Sequence, residues 1–391
     1  MLPHTFMFLI FNIVYMLPVA YVHFFGFSLG GVEEIFNGDP SMLADMMVFY
    51  VAVLFFYLAG SALLGFGIKN KNIQWIIAFE LPVIVKILFS LVLFSIVLSK
   101  VLLYPEGVYS SYAFDSGAMA SRVWNISMGL SELGIIIFTF CLVTKNIKFA
   151  IVTFLIVSLN LLHGTRIFTL ILLLMIIFYI IFINKKISKL KLFIILSLFF
   201  SAIVISFLII FIIRSNVSIN NINIDLILSP IVYESLFNQI SFMRMLDWLH
   251  QGAVPFAPQM LFSDSAIFTL PTFLFDEKSS LMYINKFGEL SPLGGLSGYA
   301  SAVIYFSYYY FLWYFILGIT SSLLLRFTSS VNFVILSRVI YIYFVCDSLF
   351  RFNRDPWFIV IKMFVNNIVF ILFVLMIIAL KMRMEKRRAI Q

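Results

Sequence analysis

The stretch LNLLHGTRIFTLILLLM, residues 159–175, places His163, Thr165 and Arg166 in a run that is otherwise as apolar as lipid. An arginine side chain offers five N–H donors in a planar fork and binds phosphate or carboxylate through two bonds at once. The start of a helix adds free backbone N–H groups and the positive end of the helix dipole. Arg166 at such a start therefore predicts contact with an anion, whereas His163 is expected to cap or pack the turn.

A second reactive group lies in SPIVYESLFNQISFMRMLDWLHQG, residues 229–252. Arg244, Asp247 and His250 follow one another at intervals of three, so on a helix they project within about a third of the circumference. An imidazole titrates near neutral pH and can serve as a general base. This spacing predicts a catalytic cation, carboxylate and base, and the alternative is a solvated polar face. The competing bases in the surrounding segment are Glu234, Asp247 and Asp264.

The ends of this predicted helix also carry signals. Ser229 can cap its start, and Gly252 suits its end. Ile240 and Met243 line one face, which is typical of a helix lying on a membrane or against a bundle.

Further arginines occur near the ends of apolar runs. Asp347, Arg351 and Arg354 are spaced i, i+4 and i+7 and are expected to share one helical face. We expect Arg351 and Arg354 to form a second clamp for an anionic substrate. Arg122 and Arg214 are substrate-binding candidates too, although an arginine at a helix end also snorkels to lipid headgroups without any other role.

The composition identifies the elements that hold these residues. Of 391 residues, 63% are hydrophobic and 11% are charged, which lies far outside the range of soluble domains. The chain is therefore predicted to be an all-α polytopic membrane protein. The net charge of +8 is explained by topology, and no nucleic acid is expected. Neither Cys141 nor Cys346 suggests a zinc site, and no metal or cofactor is expected. The adjacent acids Glu33 and Glu34 are an alternative pair of cation ligands.

Ten spans are predicted, and the fifth and sixth are the least obvious. Residues 149–183 as one helix would be about 52 Å long at 1.5 Å per residue, which exceeds the bilayer core. Lysines flank this region on both sides, so the chain is expected to turn within HGTR at residues 163–166. The predicted spans are 5–26, 46–67, 75–103, 123–144, 149–163, 166–183, 192–213, 299–325, 333–350 and 357–380.

This arrangement places both termini in the cytoplasm and one 85-residue segment, 214–298, outside. Three regions follow: an N-terminal bundle of seven spans (1–213), a large periplasmic loop with short helices (214–298), and three C-terminal spans with a basic tail (299–391). Ionisable residues also fall within the spans, where burial is costly and function is the default interpretation. They are Glu80, Lys86, Lys100, Glu132, Arg338, Asp347 and Lys362, of which Lys100 lies close enough to an end to snorkel.

Taken together, the GTR at 164–166 before an apolar run, the arginine-bearing loop helix at Arg244 and the glycine-rich return at 291–298 resemble the Wzy family of O-antigen polymerases, which are related to the O-antigen ligases. The resemblance implies a GT-C-like membrane glycosyltransferase of the bacterial inner membrane, with its active site facing the periplasm. It also implies transfer of an undecaprenyl-pyrophosphate-linked glycan onto a lipid-linked repeat unit, and a chain-length regulator of the Wzz type as a partner.

Within that resemblance, Arg166 and Arg244 are expected at the donor pyrophosphate, and His250 matches a loop histidine of the ligases. Fixed arginines can stabilise the departing pyrophosphate without a metal, and a single displacement predicts inversion at the anomeric carbon. Two alternatives stay open. The first is a flippase or transporter of the same pathway, which would use Lys86 and Arg338. The second is an O-antigen ligase.

Overall fold

The protein is an all-α membrane protein. The computed structural model describes residues 2–25, 40–65, 75–77, 79–103, 122–163, 165–183, 197, 201, 205, 239–269, 296–328 and 334–388. Every regular element in these ranges is a helix, and six helices there are long and apolar enough to cross a membrane. The predicted span at 192–213 lies largely outside the described residues.

The helices are numbered here in chain order, and short 3₁₀ or π turns extend several of them. They are α1 (Pro3–Phe25), α2 (Pro40–Gly65), α3 (Val83–Leu103), α4 (Arg122–Val143), α5 (Ile147–Ser158, continued by Leu159–His163), α6 (Ile167–Phe178, continued by Tyr179–Ile183), α7 (239–250), α8 (Pro258–Thr269), α9 (Gly298–Phe306, followed by Ser307–Tyr309), α10 (Phe311–Thr328), α11 (Val334–Tyr343, continued by Phe344–Ser348), α12 (Leu349–Arg354) and α13 (Trp357–Arg388).

Packing divides the chain into two compact units. Unit 1 comprises Met1–Asn70, Asn223–Phe327 and Asp347–Asn366, and unit 2 comprises Lys71–Ile222, Thr328–Cys346 and Asn367–Gln391. Each unit is discontinuous in sequence. The three regions predicted from loop length, 1–213, 214–298 and 299–391, each contribute residues to both units.

Unit 1 is held together by glycines that allow backbones to approach closely. A Cβ atom at Gly60 of α2 would collide with the carbonyl oxygen of Phe315 of α10, and one at Gly318 would collide with that of Tyr57. Small residues drive such helix packing in membranes. Hydrogen bonds reinforce it: His4 Nε2 lies 2.7 Å from the Ser61 hydroxyl. The start of α1 therefore lies beside the end of α2, as alternating spans require.

Unit 2 shows the same alternation. At one end of its helices, the Ile77 amide donates to the Val143 carbonyl at 2.9 Å, which joins the segment before α3 to the end of α4. At the other end, Trp124 near the start of α4 meets His163 at the end of α5, with ring centroids 6.0 Å apart. The start of α4 and the end of α5, which the topology prediction places outside, thus lie together.

The predicted break at HGTR is confirmed. Helix α5 and its 3₁₀ turn end at His163, α6 begins at Ile167, and these two helices contact each other. One continuous helix over residues 149–183 is therefore excluded. The backbone amide of Thr165 donates to the Asn160 carbonyl at 3.1 Å and so closes the turn.

The predicted single span at 299–325 is wrong. The structure replaces it with the short helix α9 and the long helix α10. Ser307 at the break has φ +50°, which is unfavourable for a residue with a Cβ. Its hydroxyl donates to the Val254 carbonyl at 2.8 Å, and this buried contact holds the break.

Two charges that the sequence places inside a span lie at its edge. Glu80 precedes α3 and is exposed, and its carboxylate accepts a 3.0 Å hydrogen bond from Lys86 in the first turn. This hydrogen bond lowers the pKa of Glu80. Lys86 is therefore not a charge held in the middle of the bundle.

Candidate functional site

A buried polar cluster underlies the HGTR turn in unit 2. The Lys100 ammonium donates to the Asn160 side-chain oxygen at 2.6 Å, and the Asn160 amide donates to the Ser131 hydroxyl at 3.0 Å. Lys100 is only 3% exposed. The expectation that Lys100 snorkels is wrong, because its ammonium bonds to α5 within the protein instead of reaching an interface.

Arg166 occupies the first position before α6, as predicted. Its carbonyl accepts from the Leu170 amide at 3.0 Å, and its side chain is half-buried with Nε enclosed. His163 is buried and packs its ring edge-on to Trp124. His163 thus packs the turn, and Arg166 follows at the free N–H end of a helix.

Arg122 lies at this same end of unit 2. It is the first residue of α4, two positions before Trp124, and its side chain is exposed. Two predicted anion-binding residues, Arg122 and Arg166, therefore begin neighbouring helices above the Lys100 cluster. Lys100, Arg122 and Arg166 thus all lie near helix ends that the topology prediction places outside.

The loop helix α7 belongs to unit 1 and has the predicted two faces. Ile240 and Met243 are buried, whereas Arg244, Asp247 and His250 are all exposed. The helix ends as predicted at Gly252, which has φ +70°. The shared polar face is therefore confirmed, and its catalytic role stays a prediction.

The three polar residues of α7 do not form one hydrogen-bonded chain. The Asp247 carboxylate accepts from the Gln251 side chain at 2.9 Å. His250 Nε2 instead lies 3.7 Å from an oxygen of Asp45 near the start of α2, with both side chains about half exposed. The structure thus offers an imidazole beside a carboxylate, an arrangement that orients a general base.

Asp45 was not predicted as a site residue. Its contact with His250 joins positions 205 residues apart, so no local spacing reveals it. The available signal was an acid one residue before the predicted span 46–67.

The predicted second clamp is a buried ion-pair ladder. Arg351 Nε donates to Asp347 at 2.8 Å, and Arg351 Nη1 donates to Asp355 at 3.2 Å. Arg354 Nη1 donates to Asp355 at 2.7 Å and is one-quarter exposed, whereas the Arg351 side chain is 4% exposed. Two cations and two carboxylates balance each other, so an anion at Arg351 would have to displace a carboxylate.

The competing bases lie in different environments. Asp264 on α8 is 2% exposed and accepts a 2.8 Å hydrogen bond from the Tyr305 hydroxyl, so it is enclosed. Glu234 and Arg214 lie outside the described residues, as do Glu33 and Glu34. In the part of the chain that the structure describes, no three His, Cys, Asp or Glu side chains group as metal ligands would.

Helix α7 is anchored to unit 1 by a tyrosine cluster. The Tyr50 hydroxyl donates to the Gln239 side-chain oxygen, and the rings of Tyr50 and Tyr299 lie 4.7 Å apart, edge to face. Phe242 of α7 packs on Phe49 at 4.5 Å. These buried contacts fix α7 against α2 and α9.

Comparisons of this chain with protein-family models, with curated proteins and with solved structures give no match.

Proposed function

We propose that this chain is a membrane glycosyltransferase that polymerises lipid-linked oligosaccharide repeat units, similar to O-antigen polymerases with a GT-C-like fold. The observation that carries the proposal is the end of unit 2, where Arg122 and Arg166 begin helices above the buried Lys100. Guanidinium groups at helix starts suit a pyrophosphate. Undecaprenyl pyrophosphate is the proposed donor carrier, and the bacterial inner membrane is the proposed location.

The chemistry needs two functions from the protein. Positive charge must stabilise the pyrophosphate as it departs, and a base must accept the proton of the attacking sugar hydroxyl. We assign the first function to Arg166, assisted by Arg122. For the second, the exposed His250 beside Asp45 is the candidate in unit 1. Arg244 on the same face is a further cation for the anionic substrate.

A transporter of the same lipid-linked glycans is the second candidate. Lys100, Glu132 and Arg338 are all buried in unit 2, and intramembrane charges often mark transport pathways. A ligase that moves finished polymer is chemically close to a polymerase, and the acceptor distinguishes the two.

The test uses purified protein with lipid-linked repeat units and no nucleotide sugar. We expect a ladder of polymers that persists in EDTA. Arg166→Ala and Arg244→Ala should each reduce the ladder by about 10²-fold or more, because a lost transition-state contact costs that much. Arg383→Ala is the matched control, since Arg383 is exposed near the end of α13, and it should leave the ladder intact.

A ladder that neither Arg166→Ala nor Arg244→Ala alters would overturn the site assignment. Proteoliposomes separate the functions. Polymer formation without movement of repeat units across the bilayer supports the enzyme, and movement without polymer supports the transporter. Transfer only to a lipid-core acceptor identifies a ligase.

A further inference from the structure

Arg338 is a buried guanidinium on helix α11 of unit 2. It is 6% exposed, and its Nε and Nη1 atoms are enclosed without a hydrogen-bond partner. No carboxylate among the described residues pairs with it. Enclosing an unpaired charge is strongly unfavourable, so such a group calls for an anion.

A second unsatisfied donor belongs to a side chain that packs against α11. Trp75 is 3% exposed, and its indole Nε1 also has no hydrogen-bond partner. The Trp75 ring lies 5.5 Å from the ring of Tyr341, which follows Arg338 by three positions on the same face of α11. Guanidinium and indole N–H groups only donate, so the missing partner is an acceptor.

Among the residues that the structure describes, no carboxylate of unit 2 pairs with Arg338 or Trp75. Phe178 at the end of α6 meets Trp75 edge-on at 5.7 Å, so the walls are aromatic. The described acids of unit 2 with placed side chains are Glu80, which pairs with Lys86, and Glu132 in the middle of α4. Lys145 and Lys148, which follow α4, are exposed cations.

Arg338 and Trp75 lie apart from Arg122 and Arg166. Trp75 precedes α3, and nearby Ile77 bonds to Val143 at the end of α4. Arg122 and Arg166 instead begin α4 and α6, so they lie at the opposite ends of the same helices.

We propose that Arg338 and Trp75 bind the phosphate group of a membrane lipid. Phosphate supplies several acceptor oxygens and negative charge, which match a guanidinium fork and one indole N–H. The helices around the pair are apolar, so a phosphate carried by a lipid reaches it without leaving the bilayer. The site goes beyond the proposed function, because it involves none of the residues assigned to glycosyl transfer.

The test measures thermal unfolding of delipidated protein in neutral detergent, with native mass spectrometry of retained lipid. The additives are phosphatidylglycerol, diacylglycerol and inorganic phosphate. Phosphatidylglycerol should raise the Tm of the wild type by several degrees, because a ligand that binds only the folded state stabilises it. Diacylglycerol should not.

The shift should be lost in Arg338→Gln, reduced in Trp75→Phe and intact in Arg383→Gln, which removes an exposed charge of the same unit. Without lipid, Arg338→Gln should melt no lower than the wild type, because it removes an uncompensated charge. A full shift with inorganic phosphate alone would support the phosphate site and identify free phosphate as its source.

An unchanged phosphatidylglycerol shift in Arg338→Gln, or an equal response to diacylglycerol, would overturn the proposal. If Arg338→Gln does not fold, Arg338→Lys and Trp75→Phe decide it. Arg338→Lys keeps the charge but loses the fork, so a weakened shift in both variants supports the site and an unweakened one refutes it.

Discussion

Two carboxylates flank Arg351 along one helical face, Asp347 one turn before it and Asp355 one turn after it. The spacing of the first pair was visible in the sequence. The burial was not, because it depends on α12 packing against α1 and α9. Buried ion pairs add little net stability when intact, but removing one partner strands a charge. Arg351 therefore serves structure first.

Arg351→Gln should destabilise the protein by about 3–5 kcal/mol, because it leaves Asp347 and Asp355 without their shared cation. Arg354→Gln should cost about 1 kcal/mol or less, since Arg354 is partly exposed. The measurement is unfolding in detergent, with the Tm or the denaturant midpoint as the readout. Equal losses for the two variants would show that Arg351 contributes no more to this ion-pair ladder than Arg354 does.

The assignment of the base rests on His250 and its neighbour Asp45. His250→Gln should slow polymer formation by about 10²-fold or more, because a general base contributes that much. Asp45→Asn should have a smaller effect, since Asp45 only orients the imidazole. The rate of polymer formation is the readout. A large loss in Asp247→Asn with a normal His250→Gln would instead make Asp247 the base.

At the scale of the helix, close packing depends on individual glycines. Gly298 at the start of α9 lies against α12 so closely that a Cβ would collide with the Phe352 carbonyl oxygen. Gly129 of α4, by contrast, faces open space. The glycine-rich return predicted near the end of the outer segment thus provides a backbone contact at Gly298.

Gly298→Ala should lower the Tm markedly, because α9 and α12 must separate. Gly129→Ala should leave the Tm unchanged or raise it slightly, since alanine favours the helix by up to about 1 kcal/mol. Both variants add one methyl group, so they form a matched pair. A normal Tm for Gly298→Ala would mean that this helix contact is loose.

The sequence predicted most of the helices but not all of their breaks. Apolar length located the first four spans, and lysine placement located the turn before Arg166. The break at Ser307 carries no such signal, because its positive φ is stabilised by a contact with Val254 from another segment. For the same reason, spacing along α7 grouped Arg244 with His250 but did not reveal Asp45 as the neighbour of His250.

For the molecule as a whole, the outstanding prediction is which side of the membrane each end faces. The native Cys141 and Cys346 are both buried, so a single introduced cysteine can be labelled selectively. Gln251→Cys should react with an impermeant maleimide in intact cells, because position 251 is exposed and predicted outside. Lys148→Cys should react only after permeabilisation. The reverse pattern would invert the predicted orientation.

The interleaved makeup of unit 1 has a consequence for biosynthesis. Helix α1 packs against α12, for example through Phe11 and Phe350 at 5.4 Å, yet Phe350 follows Phe11 by 339 residues. At about 5–20 residues per second, a ribosome needs roughly 17–70 s to cover that distance. During that interval α1 and α2 can pair, but the surface that receives α12 stays uncovered. The newly made chain is therefore most vulnerable to misassembly and degradation at its first two helices.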